Sequence, residues 1–235
     1  MGKFLIIIVA YALGQATGLK TETYSGYAYE IGSKKFIYKE THTEMFENGK
    51  HAGTETKYYD SKNKLIAQRN LDFSKSRHTP DFKTSDLLTG YQEGAIVNGN
   101  KVRLFVKSNE KEPIREKTLT VPEPFTVDGG FNYYIKDHWS ELMEGKVLVF
   151  NFTVSSELNY FQLRARLVKD GSVGNDKAKV IVEPNNVMFR WLSDPISITY
   201  DMATKRILIY EGKSNLSNNS GKNYLARLIY PEQGP

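Results

Sequence analysis

Arginine and tryptophan side chains in the second half of the sequence are the best candidates for a binding site. Arg164 and Arg166 alternate with apolar residues, so the strand period places both on one face, and Arg190-Trp191 follows two strands later. Guanidinium groups bind phosphate or carboxylate, and aromatic rings suit acyl chains or rings. With Trp139, these residues form the candidate ligand-binding set. The alternative is that the arginines pair across strands with nearby acidic side chains on an outward sheet face.

Acid and base groups occur near one another at Asp128, Asp137 and His138. Such groups can transfer protons in a hydrolase or another enzyme. Asp128, however, is also a plausible helix N-cap, and His138 lies beside Trp139 where it can be solvated. The sequence has no Gly-rich phosphate loop, nucleophile elbow or His-x-x-x-His pair. We therefore assign no catalytic residue, metal site or cofactor, and keep the enzyme as the alternative function.

Glu40, His42 and Glu44 share strand spacing and could be taken for a metal or acid/base cluster. We instead predict a hairpin with a two-residue type I′ turn at Asn48-Gly49. That turn pairs Phe46 with His51, His42 with Glu55, Glu40 with Lys57, and Tyr38 with Tyr59. Opposite charges then face each other, which is typical of a solvated sheet face and disfavours the metal site.

The elements that carry these residues are mostly β-strands. Apolar alternation interrupted by turn residues runs from Tyr24 to the C-terminus, and about a dozen strands are too many for a flat sheet. The exception is a helix predicted over 129–144, between an Asp128 N-cap and a Gly145 C-cap. Its apolar stripe comprises Phe131, Ile135, Trp139 and Leu142. We predict a mainly β fold, a single curved antiparallel sheet (half-barrel or barrel-like meander) with one helix packed on its concave face or mouth. The helix is a plug or a lid, and the plug is favoured.

Composition excludes several classes of protein. The formal net charge of +5 is spread along the chain without dense basic runs, so we expect no nucleic-acid binding. Cysteine is absent, which rules out disulfides, thiolate zinc sites and a lipid anchor on cysteine.

The first sixteen residues resemble a secretory signal peptide. Lys3 precedes the apolar run FLIIIVAYAL, and Gly14-Gln15-Ala16 forms a small-x-small exit. The run is too short to span a bilayer as a helix, which needs about 20 residues. We expect cleavage after Ala16 and a single soluble domain over residues 17–235 in the bacterial periplasm, without a lipid anchor. The other interpretation of the run is a buried first strand.

Two segments, FRWLSDPISITYDMATKRILIYEGKSNL and VPEPFTVDGGFNYYIKDHW, resemble an uncharacterised family of exported proteobacterial proteins. The resemblance implies no activity. The plan of many strands with a helix in the concavity is also similar, in architecture alone, to the lipoprotein-localisation half-barrels, which bind acyl chains inside a curved sheet. A likeness of architecture does not by itself imply a function. We expect a non-enzymatic periplasmic binding or envelope-maintenance protein, whose ligand is a lipid-like or anionic small molecule and which can contact a membrane surface.

Overall fold

The computed structural model describes residues 18–169, 171–190, 194–218 and 221–231, which form one sheet of fifteen strands and short helices. The first eight strands are β1 (Leu19–Glu30), β2 (Phe36–Glu47), β3 (Lys50–Tyr59), β4 (Leu65–Asp72), β5 (Asp81–Asp86), β6 (Gln92–Asn98), β7 (Lys101–Lys107) and β8 (Arg115–Thr120). The others are β9 (Phe125–Val127), β10 (Leu148–Val154), β11 (Asn159–Val168), β12 (Lys177–Pro184), β13 (Ile196–Asp201), β14 (Ile207–Ser217) and β15 (Asn223–Ile229). The helices are α1 (Gly130–Asp137), α2 (Trp139–Met143) and α3 (Val187–Arg190), with a 3-10 turn at Ser155–Glu157.

The sheet is curved and does not close. Its strand order runs from β8 back to β1, then from β15 back to β9, so the first strand lies beside the last and β8 and β9 form the edges. All neighbours are antiparallel except β9 and β10, whose parallel pairing requires the crossover that α1 and α2 supply. The predicted fold class, a mainly β chain with one curved sheet, is confirmed.

Alternate side chains of the strands form three apolar clusters on the inner face. One packs α1 and α2 against β10–β13, a second joins β4–β7 to β9, and the third lies on β1–β4 and β14–β15. The second cluster brings an edge strand onto the opposite arm of the sheet, where the Ser155 hydroxyl also donates to the Gly94 carbonyl over 3.0 Å. The sheet therefore curls until its two arms touch.

The helical segment differs in detail from the prediction. His138 (φ −101°, ψ 25°) interrupts it and separates α1 from α2. Asp128 is not the N-cap: it has a positive φ of 44°, and Gly129 begins α1 without a side-chain cap. Gly145, at φ 92°, follows the last turn of α2 as predicted. Trp139 is 8% exposed and packs edge-to-face on Tyr200, so its predicted burial is confirmed.

The first hairpin begins as predicted and then departs from the predicted register. Asn48 and Gly49 both have positive φ (51° and 77°), and Phe46 faces His51. Beyond that pair a β-bulge leaves Ala52 without a cross-strand partner on β2. The His51 ring fixes this bulge, since its Nε2 lies 2.9 Å from the Gly53 carbonyl oxygen.

The bulge shifts every later pair by one residue and reverses the faces of β3. His42 faces Thr56, and Glu40 faces Tyr58. The predicted pairs of His42 with Glu55, Glu40 with Lys57, and Tyr38 with Tyr59 are wrong. The prediction that this face of the hairpin is solvated is wrong as well, because Glu40 is only 3% exposed on the inner face.

Candidate functional site

A row of polar residues crosses the inner face of six adjacent strands. Each member is the direct cross-strand partner of the next: Tyr24, His42, Thr56, Arg69, Thr84 and Glu93, on β1 to β6 in that order. Directly opposed residues share a sheet face, so all six point inward. We call this set the polar row.

Apolar side chains border the polar row where it crosses β4. Ala67 and Leu71 lie two residues before and after Arg69 on the same face, and both are buried. Ala67 belongs to the third apolar cluster and Leu71 to the second. Arg69 is therefore a polar position between two apolar ones.

Arg69 and Asp128 form an ion pair at the centre of the row. Their side chains are 11% and 14% exposed. The pair ties the start of α1 to β4. The two segments are in close contact there, since a Cβ added at Gly129 would lie 3.0 Å from the Leu71 side chain. Burying two charges requires strong compensation, and removing one partner leaves an uncompensated charge.

Glu40 is buried beside the row and accepts two strong hydrogen bonds. His42 Nε2 donates to its carboxylate over 2.8 Å, and the Tyr230 hydroxyl donates over 2.5 Å. Burial alone would raise the pKa of Glu40, but the charge and hydrogen bond of His42 and the Tyr230 hydroxyl outweigh it and lower the pKa. His42 is held in turn by Thr56 Oγ1, 3.0 Å from its Nδ1, and by the stacked Tyr24 ring.

The pKa of Glu93, at the far end of the row, shifts in the opposite direction from that of Glu40. Burial raises its pKa, and the Tyr91 hydroxyl and the charge of Arg69 offset that effect only in part. The Tyr91 hydroxyl donates to Glu93 over 3.0 Å. Glu93 in the row therefore resists ionisation, whereas Glu40 beside the row favours it.

Two buried polar atoms near the centre of the row, Arg69 Nε and Thr84 Oγ1, have no hydrogen-bond partner among the described residues. The Tyr58 hydroxyl is buried beside them and interacts with Asn215 and Arg69. Thr84 is directly opposite Arg69. Buried polar groups in native proteins are almost always paired, and leaving one unpaired costs about 1 to 3 kcal/mol. These two unpaired groups are what single out the row as a site.

The structure does not bring the predicted ligand-binding set together. Arg164 and Arg166 share Glu183, with N···O distances of 2.5 and 3.2 Å. They alternate with the inward-facing Ala165 and Leu163, so they lie on the outer face, as in the alternative of cross-strand pairing. Burial would raise the pKa of Glu183, but the two arginines lower it.

The remaining members of that set are separate from the two arginines. Arg190 donates from Nη2 to the Asn185 carbonyl over 3.0 Å. Trp139 packs on the inner face, across the sheet from Arg164. Trp191 lies outside the described residues.

The acid/base trio also fails to converge. Asp128 precedes α1, whereas Asp137 ends it and His138 follows it, and a helix of this length separates the two ends by about 12 Å. Asp137 instead accepts from His78 Nε2 over 2.8 Å and lies 3.3 Å from Arg77. Among the residues that the structure describes, no group of three or more His, Asp or Glu side chains is placed to hold a metal ion, so Glu40, His42 and Glu44 do not form one.

Sequence reasoning missed Arg69, Thr84 and Glu93. Each is a polar residue that interrupts a run of inward apolar residues at spacing two, such as Ala67 and Leu71 around Arg69. These interruptions are visible in the sequence. The alignment of the three residues across strands could not be predicted without the registers of five strand pairs.

Comparison with known proteins gives one fold likeness. No protein-family model matches the sequence, and no curated protein matches it. A solved structure, the β-barrel-like protein of domain of unknown function DUF1849 from Brucella abortus, is similar at a TM-score of 0.53 and 8% identity, over 90% of this chain and 98% of that chain. The two share a fold. At this identity the likeness carries the fold and no activity.

The neighbour agrees with the expected resemblance to uncharacterised all-β proteins. The likeness to the lipoprotein-localisation half-barrels stays a prediction. No helix within the described ranges is long and apolar enough to cross a bilayer.

Proposed function

We propose that this chain is a non-enzymatic binding protein of the bacterial envelope, which holds a small amphiphilic molecule against the inner face of its sheet. The observation that carries the proposal is the pair of unpaired buried atoms at the centre of the polar row, Arg69 Nε and Thr84 Oγ1. A polar group of a bound molecule would give these atoms the hydrogen bonds that the described residues do not.

The surroundings of the row favour an amphiphile over a fully polar ligand. Apolar clusters lie on both sides of Arg69 along β4, so a molecule whose polar group meets Arg69 has apolar surface next to it. Solvent reaches the row, since the side chains of His42, Arg69 and Asp128 are 13%, 11% and 14% exposed. A small molecule has a route of approach there.

Export to the periplasm belongs to the same proposal and rests on the signal-peptide pattern of residues 1–16. The mature protein should begin near Thr17 and fractionate with the periplasm. An intact Met1 on cytoplasmic protein would contradict this part of the proposal and leave the binding site untouched.

The binding test uses native mass spectrometry on protein purified from its own cells, followed by titration with a neutral fluorescent amphiphile, N-phenyl-1-naphthylamine. Thr84→Val keeps the shape of the side chain and removes its hydroxyl. We expect this variant to fold, to gain about 1 kcal/mol of stability because an unpaired buried hydroxyl is gone, and to lose the co-purified ligand.

The matched control changes the other candidate surface. The double variant Arg164→Ala, Arg166→Ala removes the outer-face arginines, which belong to the ligand-binding set predicted from the sequence. It should leave the amount of co-purified ligand and the affinity for the dye unchanged. If Thr84→Val binds as well as the wild type while the double variant loses binding, the site is on the outer face. If both bind as the wild type does, the polar row is structural and the proposal fails.

A further inference from the structure

The hydrogen-bonding groups at the centre of the polar row restrict the chemistry of the group that can bind there. Arg69 Nε carries a hydrogen and can only donate, and the Thr84 hydroxyl can also donate. Thr84 is the cross-strand partner of Arg69, so the two side chains are neighbours on the inner face. Both atoms are buried without a hydrogen-bond partner among the described residues. One oxygen that accepts two hydrogen bonds would satisfy both.

The positive charges of the row already face carboxylates of the protein itself. Arg69 is the one lysine or arginine among the six residues of the row, and its Nη2 pairs with Asp128. His42, which can also carry a positive charge, bonds to the carboxylate of Glu40 over 2.8 Å. An anionic group at Arg69 Nε would share one guanidinium with Asp128, which places two negative charges close together in a poorly solvated site.

A further acidic group lies next to Thr84. Glu93 is the cross-strand partner of Thr84 on β6, and its carboxyl group accepts a hydrogen bond from the Tyr91 hydroxyl. Burial raises the pKa of Glu93, so negative charge is already unfavourable at this position. An anion bound to the Thr84 hydroxyl would lie near both Glu93 and Asp128. The protein side chains therefore disfavour an anion and leave hydrogen-bond donors for a neutral group.

We infer that the polar group of the bound molecule is an uncharged hydrogen-bond acceptor, an ester or amide carbonyl, and not a carboxylate or a phosphate. A carbonyl oxygen has two lone pairs and can accept from Arg69 Nε and from the Thr84 hydroxyl at once. Ala67 and Leu71 lie on either side of Arg69 on the same face, where a hydrocarbon chain attached to the carbonyl would meet apolar surface. This inference rests on the proposed function and names the chemical class of its ligand.

The test offers the protein three probes that share one chain and differ in the polar group: methyl dodecanoate, dodecanoate and dodecane. Purified protein is incubated with an equimolar mixture at a pH where dodecanoate is ionised and then passed through a gel-filtration column. The retained molecules are extracted and quantified by mass spectrometry. The wild type should retain more of the ester than of either other probe, with an excess over dodecanoate of about tenfold, because the carboxylate meets like charges.

Two variants connect this preference to the row. Thr84→Val removes one of the two donors, and should lower the retained ester about fivefold while leaving dodecane unchanged. Asp128→Asn leaves the charge of Arg69 uncompensated and should shift retention from the ester towards dodecanoate. Its matched control is Glu183→Gln, which frees Arg164 and Arg166 on the outer face and should keep the wild-type ratio.

The wild-type ratio decides the inference even if Asp128→Asn does not fold. Retention of dodecanoate equal to or above that of the ester overturns the neutral acceptor and leaves the proposed binding function in place. Equal retention of the ester and dodecane also overturns it, since the polar group would then not be recognised. If none of the three probes is retained, the proposed function fails and the inference fails with it.

Discussion

Truncation of Trp139 measures how much of the fold depends on the helical segment. The indole is 8% exposed, meets the Tyr200 ring at a centroid distance of 5.4 Å and belongs to the apolar cluster that joins α1 and α2 to β10–β13. Replacing a buried tryptophan by alanine costs about 3 to 5 kcal/mol. Domains are stable by about 5 to 15 kcal/mol, so this single change removes a large part of the total.

Urea unfolding followed by far-UV circular dichroism gives the measurement. With an m value of roughly 2.5 kcal/mol/M, Trp139→Ala should lower the midpoint by about 1.5 M. Trp139→Phe keeps a ring against Tyr200 and should lose less than half as much. The control is Val149→Ala on β10, whose side chain is 36% exposed and points away from the cluster. A midpoint for Trp139→Ala equal to that of the control would refute the inner-face packing of the helices.

Three further predictions concern the charges at and beside the polar row. The lowered pKa of Glu40 means that its stabilising ionisation is present above the unfolded pKa of about 4.3 and is lost as pH falls through the folded pKa. Glu40→Gln should therefore be less stable than the wild type at neutral pH, with a gap that closes in acid. The raised pKa of Glu93 reverses the sign: its contribution is full below about 4.3 and is lost as pH rises through the folded pKa, so Glu93→Gln should be the more stable protein at neutral pH. Urea midpoints across pH test both, and two variants with the same sign would contradict the assignment. Asp128→Asn should lose about 3 to 5 kcal/mol by leaving Arg69 buried and unpaired, and adding Arg69→Met should recover most of it; additive losses in this double-mutant cycle would show that the pair is not coupled.

The strands of the second half were predictable because their alternation is regular. Apolar residues alternate with others over 147–154, which contains β10, and over 159–169, which contains β11. Turn chemistry was predictable for the same local reason: Asp60 accepts from the backbone of Lys62 and Lys64, as expected of an Asp that closes a turn with its side chain. Such features depend on a few consecutive residues.

Long-range register was not predictable, and the first hairpin shows why. The turn and the first pair were right, yet Ala52 gives no sequence sign that it forms a bulge. One extra residue is enough to turn Glu40 and His42 from solvent-facing partners of charged residues into inward neighbours of Thr56 and Tyr58. The polar row depends on several such registers, so each unseen bulge would displace it.

The flanking residues show that the fold itself does not demand polar side chains at the row. Ala67 and Leu71 fill equivalent inward positions on β4, so an apolar residue in place of Arg69 would fit the pattern of the strand. A buried ion pair is often no more stabilising than apolar packing of similar volume. The packing of β4 therefore does not require the arrangement of Arg69, Asp128 and Thr84, and recognition of a bound group is the explanation that we propose.

The two arms of the sheet hold the helices by different kinds of contact, which bears on whether the segment is a plug or a lid. Towards β10–β13 the contacts are apolar, through Trp139 and the rest of its cluster. Towards β3–β5 they are largely polar, through Asp128 with Arg69, and Tyr133 with His51. Apolar burial is not directional, whereas ion pairs and hydrogen bonds can exchange with water. The helices are therefore fixed by apolar packing to the β10–β13 arm, as the favoured plug would be, and the polar row lies along the seam where the other arm meets them.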